Sequence, residues 1–486
     1  MKESFEKRGL TKKSENISDW YNDVVLRADL CDYTDVKGSM IIKPYAYLIW
    51  ENIQKELDKM FKEDNIQNCY FPMLIPMSLI KKEKEHVEGF APELLTVDKI
   101  GDEKLNDPLV LRPTSETIMY KAFSNWVQGY RDLPIKINQW CNVFRAEKRT
   151  YPFLRTAEFL WQEGHCAFAN NEDNLQMVFK ALNWYKDIYE KYLGISVYIG
   201  LKSQSEKFAG AKNTYSIEIV MPNGKALQAG TSHDLSDNFS KAFNVNFLDE
   251  KGKKQFAFQS SFGLSTRSIA AIILAHGDDS GLIMPPNVAP IQVVILPIIK
   301  KAQNETNRDV VDYANSLNKK LKDKGIRTFI DNDDIHSLGY KINEWELKGV
   351  PIRIEIGNNE VENNMVRIVR RDDFVKQDVA IDGLENTIKN ILENIQSGLF
   401  TKSEKLKLEK TKDTDNYSDF KKFIEEGNFV RSYFCEDKEC ENKIKEETKA
   451  VTRCLEFDQM NDDGVEGKCI YCGKRSKHKW LFGKSY

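Results

Sequence analysis

At 486 residues with 41% hydrophobic content, the chain exceeds one ordinary core and is expected to form two or three domains. Its 71 basic and 74 acidic residues leave a net charge of −3, which excludes a global positive field as the basis of any nucleic-acid binding and leaves that task to local patches. There is no run of 18 apolar residues, and Met1 to Arg8 is charged with no signal-like stretch, so a cytoplasmic protein without a membrane partner is expected, with its nine cysteines reduced.

Ile49, Ile53, Leu57, Met60 and Phe61 recur at helical spacing and Pro44 suits a first turn, which predicts an amphipathic helix from Pro44 to Phe61. The apolar run from Asn68 to Ile75 is interrupted by Pro72, which favours a sheet edge or an interface, with ordinary core the even alternative. Short β-like runs at 109–111, 136–140, 215–220 and 255–259, with helices near 116–127, 171–192 and 266–275, predict an antiparallel sheet flanked by helices. The segment Ile269 to Ala275 reads as a buried helix. Residues 1–285 therefore read as one α+β domain. Beyond it, strands near 291–298, 327–330, 352–356 and 365–369 alternate with helices near 306–323 and 338–348, an α/β domain over 286–400. Thr401 to Asp415 is charged and free of glycine, a solvated linker or an exposed helix.

The C-terminal unit, 401–486, holds five of the nine cysteines. Cys435 and Cys440, then Cys469 and Cys472, form a four-thiolate set suited to a structural Zn2+ with no open position. Cys454 is left over as a buried thiol. The same spacing also suits a metal-free fold in which some of these cysteines simply pack.

Two arginine-centred stretches carry the chemistry: Phe144-Arg145-Ala146-Glu147 with Phe153 to Phe159, and Gly263-Leu264-Ser265-Thr266-Arg267-Ser268-Ile269. An arginine among apolar strand residues is costly to bury unless it meets a carboxylate or a phosphate. Taken singly, Arg145 beside Glu147 is explained by an ordinary ion pair. Together the stretches resemble motifs 2 and 3 of the class II aminoacyl-tRNA synthetases, and Pro72 with its preceding helix resembles their motif 1 dimer element. Leu111-Arg112-Pro113-Thr114-Ser115-Glu116-Thr117, Phe159-Leu160-Trp161-Gln162-Glu163-Gly164-His165, Gln228-Ala229-Gly230-Thr231-Ser232-His233 and Trp345 to Arg353 narrow the match. All four resemble the prolyl-tRNA synthetases of the archaeal and eukaryotic type, in the family's order and over nearly the whole chain.

The resemblance implies a homodimer that activates L-proline with ATP and Mg2+ and transfers it to the 3′ end of tRNA(Pro). The attacking proline carboxylate is already ionised, so the chemistry asks for positioning and charge neutralisation rather than a general base. By resemblance Arg145 meets the α-phosphate and the proline carboxylate, Arg155 and Thr156 lie in the ATP region, and Arg267 holds the polyphosphate. Gln228 and Thr231 match positions at ATP, Gln228 also near Mg2+. A secondary ammonium and an apolar ring call for acceptors and a flat wall, which Thr114, Glu116 and Trp161 supply. Glu163, His165 and His233 match positions lining or supporting that pocket, and Ser265 stands where the family often has threonine. Individually, a Trp or His is more often core, and a Thr-Ser-Glu run often caps a helix.

The loop Lys148 to Tyr151 differs from the family and reads otherwise as a solvated basic turn. In the α/β domain, which resembles the family's anticodon-binding domain, Glu346 and Arg353 match base-reading positions, with a surface ion pair as the competing account. The ending Trp480 to Tyr486 resembles the family's tail that folds back towards the catalytic domain. The span between Arg145 and Arg267 is short enough for the sheet alone to fill, so no inserted editing domain is expected. Another class IIa synthetase, or an inactive relative that only binds tRNA, are the alternatives.

Overall fold

The computed structural model describes residues 10–82, 94–299, 304–460 and 466–486; Met1 to Arg8 lies outside them. The helix Pro44–Glu63 turns Ile49, Trp50, Ile53, Leu57 and Phe61 inward, with proline in its first turn where a missing N–H costs nothing. Gln67–Asn68 pairs in parallel with Ile135–Phe144 at one end of the main sheet, so Pro72 follows an edge strand and removes no ladder bond from the sheet's interior.

That sheet has 11 strands. Inward from the Gln67–Asn68 edge come Ile135–Phe144, Glu158–Phe168, Phe258–Ser265, Ala226–Ser236, Asn213–Val220 and Tyr198–Leu201. All these neighbours except the edge pair are antiparallel. One face is covered by the helices Pro44–Glu63, Asn171–Asp187 and Arg267–His276, whose apolar residues share a single core with the sheet. Arg267–His276 is buried on nearly every side, as its unbroken apolar sequence anticipates.

Three expectations change in detail. The run at 109–111 falls in the strand Glu103–Leu111, which pairs with Leu74–Pro76 and Thr96–Ile100 in a three-stranded sheet outside the main one. The helix expected to run to 192 ends at Asp187 and widens into a π turn, Ile188–Tyr192, whose Tyr189 hydroxyl donates to the Ala229 carbonyl at 3.0 Å. The run expected at 255–259 splits at Ala257, whose N–H donates to Val245. Lys254–Phe256 closes a small hairpin with Asn246–Leu248, and Phe258–Ser265 enters the main sheet.

The α/β unit forms a five-stranded sheet of its own around Val293–Pro297 and Ile352–Ile356, with its own apolar core. Leu384–Glu409 is one helix of 26 residues that runs through position 400 and takes up the charged stretch from Thr401. Beyond Glu409 the chain returns to the main sheet. Val451–Glu456 pairs with Tyr198–Leu201 and carries Lys479–Gly483, Phe429–Tyr433 and Thr411–Asp413 on its other side. Gly200 permits the seam, because a Cβ there would stand 2.1 Å from the Leu455 carbonyl oxygen.

Candidate active site

Strand register assembles the site. Thr231 lies opposite Gly263, Glu163 also opposite Gly263, and Ser261 opposite both His165 and His233, so one sheet face gathers residues far apart in sequence. They line a cavity of about 170 Å³ together with Thr114, Glu116, Arg145, Trp161 and Gln228. Gly263 lets Trp161 lie flat, since a Cβ there would meet the indole at 3.3 Å.

The Thr-Ser-Glu run does open a helix, Glu116–Trp126, but Ser115 makes no side-chain cap bond to it. Its hydroxyl and N–H turn instead to the Glu163 carboxylate, to which Gln139 Nε2 also donates at 2.6 Å. Thr114 donates to Glu116, and Ser261 Oγ donates to the other Glu116 oxygen at 3.0 Å. His165 Nε2 lies 3.0 Å from Glu163 and its Nδ1 3.2 Å from the Tyr120 hydroxyl.

Burial alone would discharge His165, but the Glu163 hydrogen bond and the charges of Glu116 and Glu163 hold its pKa above the ordinary value. Burial likewise opposes ionisation of Glu163, and His165, Ser115 and Gln139 outweigh it and keep the carboxyl below its usual range. Each thus favours the charged form of the other across their 3.0 Å contact. Glu116, Glu163 and His165 bring ligand atoms within 4.8 Å of one another. His233 differs: burial, helped by His165 and Arg145 against the pull of Glu116, lowers it to about 4, so it is neutral at pH 7. Its Nδ1 is 3.0 Å from the Thr214 hydroxyl.

Arg145 donates from Nε to the Pro113 carbonyl at 3.0 Å and stands 5.5 Å from the ring centres of Phe159 and Trp161. Glu147 pairs with Arg155 across the turn that follows Arg145, at 3.1 to 3.3 Å. Arg267, at the start of its helix, donates to the carbonyls of Leu154 and Gln228, both at 3.2 Å. Burial and then the repulsion of Arg145 lower its pKa from the arginine value, a cost that an arriving anion relieves. Ser265 accepts from the Arg267 N–H at 3.3 Å and is not a lining residue, while Thr156 is buried just before the Glu158–Phe168 strand.

Sequence reasoning missed Glu206, Lys207, Phe208, Thr214 and Ser261, all of which line the cavity. Ser261 had a signal: Ser261, Gly263 and Ser265 are small residues alternating with Phe262 and Leu264, the mark of a strand face kept clear. Residues 206–208 had none, because a loop carries no periodicity.

Elsewhere, Arg353 donates to Glu346 at 2.8 Å and to Glu355 at 2.9 Å; it is 6% exposed, which makes this a buried pair rather than a surface one. Arg370, Arg371 and Phe374 share its cleft. The Sγ atoms of Cys435, Cys440, Cys469 and Cys472 all lie within 4.8 Å of one another, Cys435 and Cys472 at 3.7 Å. Tetrahedral ligation at a Zn–S distance of about 2.3 Å puts sulfurs about 3.8 Å apart, so the cluster fits that ion. Cys454 is buried apart from it.

An antiparallel sheet whose flanking segments set Arg145 in one cavity and Arg267 against its lining residue Gln228, joined to a separate α/β unit with a mixed five-stranded sheet, is the arrangement of a class II aminoacyl-tRNA synthetase. Family models agree: "tRNA synthetase class II core domain (G, H, P, S and T)" matches residues 96–276, "Anticodon binding domain" 292–391, and "Prolyl-tRNA synthetase, C-terminal" 417–486. The chain is 46% identical to the proline–tRNA ligase of Bacteroides fragilis, with 99% of each chain covered. It is 48% identical to that of Borrelia garinii, covering 98% of this chain and 99% of the other. The crystal structure of prolyl-tRNA synthetase from Cryptosporidium parvum, complexed with halofuginone and AMPPNP, superposes with a TM-score of 0.93 at 41% identity, covering 98% and 99% of the two chains. The chain belongs to the prolyl-tRNA synthetase family, and its activity is that of a proline–tRNA ligase, the aminoacylation of tRNA(Pro).

Proposed function

We propose that the 170 Å³ cavity is the proline site and that ATP is received beside it, at Arg267, which donates to the carbonyl of the lining residue Gln228. The observation that carries this is the shared lining: acceptors on Thr114 and Glu116, the Arg145 guanidinium, and Trp161 laid flat against Gly263. Thr114 and Glu116 take the secondary ammonium, Arg145 the carboxylate, and Trp161 the ring. Glu163 and His165 hold the Ser115–Glu116 turn from behind, and His233 offers a neutral polar wall. Ser265 acts by fixing the start of the Arg267 helix. Arg145, Arg155, Thr156, Thr231 and Arg267 draw the phosphates in, so that the proline carboxylate attacks the α-phosphate in line and pyrophosphate leaves. The Gln228 side chain supplies an amide oxygen suited to Mg2+, which when bound with ATP neutralises phosphate charge.

The same reading assigns Glu346 and Arg353 to the anticodon, the four cysteines to a structural Zn2+, and residues 1–285, 286–400 and 401–486 to three functional units. It assigns the chain to the archaeal and eukaryotic type without an inserted editing domain, which is supported by how residues 169–257 are spent on the sheet and the elements packed against it. Exposed apolar residues around the segment that resembles motif 1, Ile41, Tyr47, Leu48, Tyr70 and Leu74, support a homodimer. Substrates of this kind belong to the cytoplasm. No helix among the described residues is long and apolar enough to cross a membrane.

Proline-dependent ATP–pyrophosphate exchange tests the assignments. Glu116→Gln should raise KM for proline by about tenfold or more, and Arg267→Ala should cost on the order of 3 kcal/mol in kcat/KM without unfolding the protein. Near-normal exchange in a folded Arg267→Ala contradicts the reading.

A further inference from the structure

Residues 202–212 join the strands Tyr198–Leu201 and Asn213–Val220 and bring Glu206, Lys207 and Phe208 to the cavity. Phe208 stacks on His233 with ring centres 4.5 Å apart, and its N–H donates to Thr214 at 2.9 Å. The root of this loop is held from the C-terminal segment. Ser203 Oγ donates to Glu441 Oε1 at 2.9 Å and accepts from Thr452 at 3.0 Å, and Thr452 also reaches Glu441.

One residue earlier, Lys202 Nζ lies 3.4 Å from Glu218, whose other oxygen accepts from Arg453 Nε at 3.0 Å. Arg453 sits where the register of its strand jumps from Thr452 to Cys454, a bulge of the kind that re-aims a side chain. Burial opposes ionisation of Glu218, and the charges of Arg453 and Lys202 outweigh it and hold its pKa low. Farther along the loop, Lys445, one turn beyond Glu441 on the helix Lys438–Thr448, comes within 4.0 Å of Glu206. Lys202, Ser203, Glu218, Glu441, Thr452 and Arg453 are all buried.

We propose that Glu441 and Arg453 are positioning residues for the proline site: from the C-terminal segment they fix the root of the 202–212 loop, and so the place of Phe208 against His233. Neither lines the cavity; both act through Ser203, Lys202 and Glu218. Backbone pairing and apolar packing would suffice to extend the sheet across this seam. A fully partnered polar network instead fixes one geometry, and that geometry is imposed at the point where the loop departs.

The inference rests on the cavity being the proline site, and its test separates the two. Ser203→Ala and Glu441→Ala should each raise KM for proline about 3- to 30-fold, with kcat, KM for ATP and the melting temperature little changed. The double variant should be no worse than the poorer single one, and Glu441→Gln, which keeps an acceptor oxygen, should recover most of the loss. If Glu441→Ala does not fold, Ser203→Ala carries the same prediction. An unchanged KM for proline in folded Ser203→Ala, or proline and ATP constants that rise together with falling thermal stability, overturns the inference. An unchanged KM in Glu116→Gln as well overturns the proline-site reading beneath it.

Discussion

His233 and His276 are both held near pH 4 by burial, and at both positions the neutral ring is what the surroundings demand. His276 closes the Arg267–His276 helix and donates from Nε2 to the Leu193 carbonyl at 2.7 Å, while Lys13 nearby donates to the carbonyls of Leu274 and Gly277. A histidine whose folded pKa is depressed takes up its proton more readily when unfolded. It therefore costs nothing above its unfolded value of about 6.5, and removes stability as the pH falls from there towards about 4. For His276 alone this comes to about 2 kcal/mol at pH 5. His276→Asn keeps a donor without the titration, so its melting temperature should fall less than that of the wild type between pH 7 and pH 5. Equal falls would mean that His276 is not buried as a neutral group. His165 illustrates the opposite case, since its raised pKa reflects a partner, Glu163, in a place where burial alone would have discharged it.

At the scale of elements, legibility followed periodicity. The helix Pro44–Glu63 was readable because its apolar residues repeat at helical spacing and proline marks its start. The Thr-Ser-Glu run was readable only as either a cap or a pocket, and the structure gives the position to the helix start and the side chains to Glu163 and Glu116. Ser261 was missed although its strand alternates small with large residues. Phe208 could not have been found, since its role comes from stacking on a histidine 25 positions away across a strand turn. The seam at Gly200 was hidden for a related reason: strand partners distant in sequence leave no local trace, so the last unit read as separate when its strands extend the main sheet.

For the whole molecule, the seam means that the C-terminal unit and the catalytic sheet share their stability. The cysteine cluster lies in that unit, within a small core built on Phe420, Ile444, Trp480 and Phe482. Below about 80 residues a core of this kind gains much from a bound metal. Elemental analysis should find one Zn2+ per chain in the wild type and in Arg267→Ala, and none in Cys469→Ser. Zinc-free protein, carefully prepared and still folded, would show that the thiols merely pack. The central claim, that this scaffold selects proline, is tested most directly by amino-acid-dependent ATP–pyrophosphate exchange with the purified chain. Exchange should be strong with proline and negligible with threonine or glycine; exchange with either of those and none with proline would contradict the account.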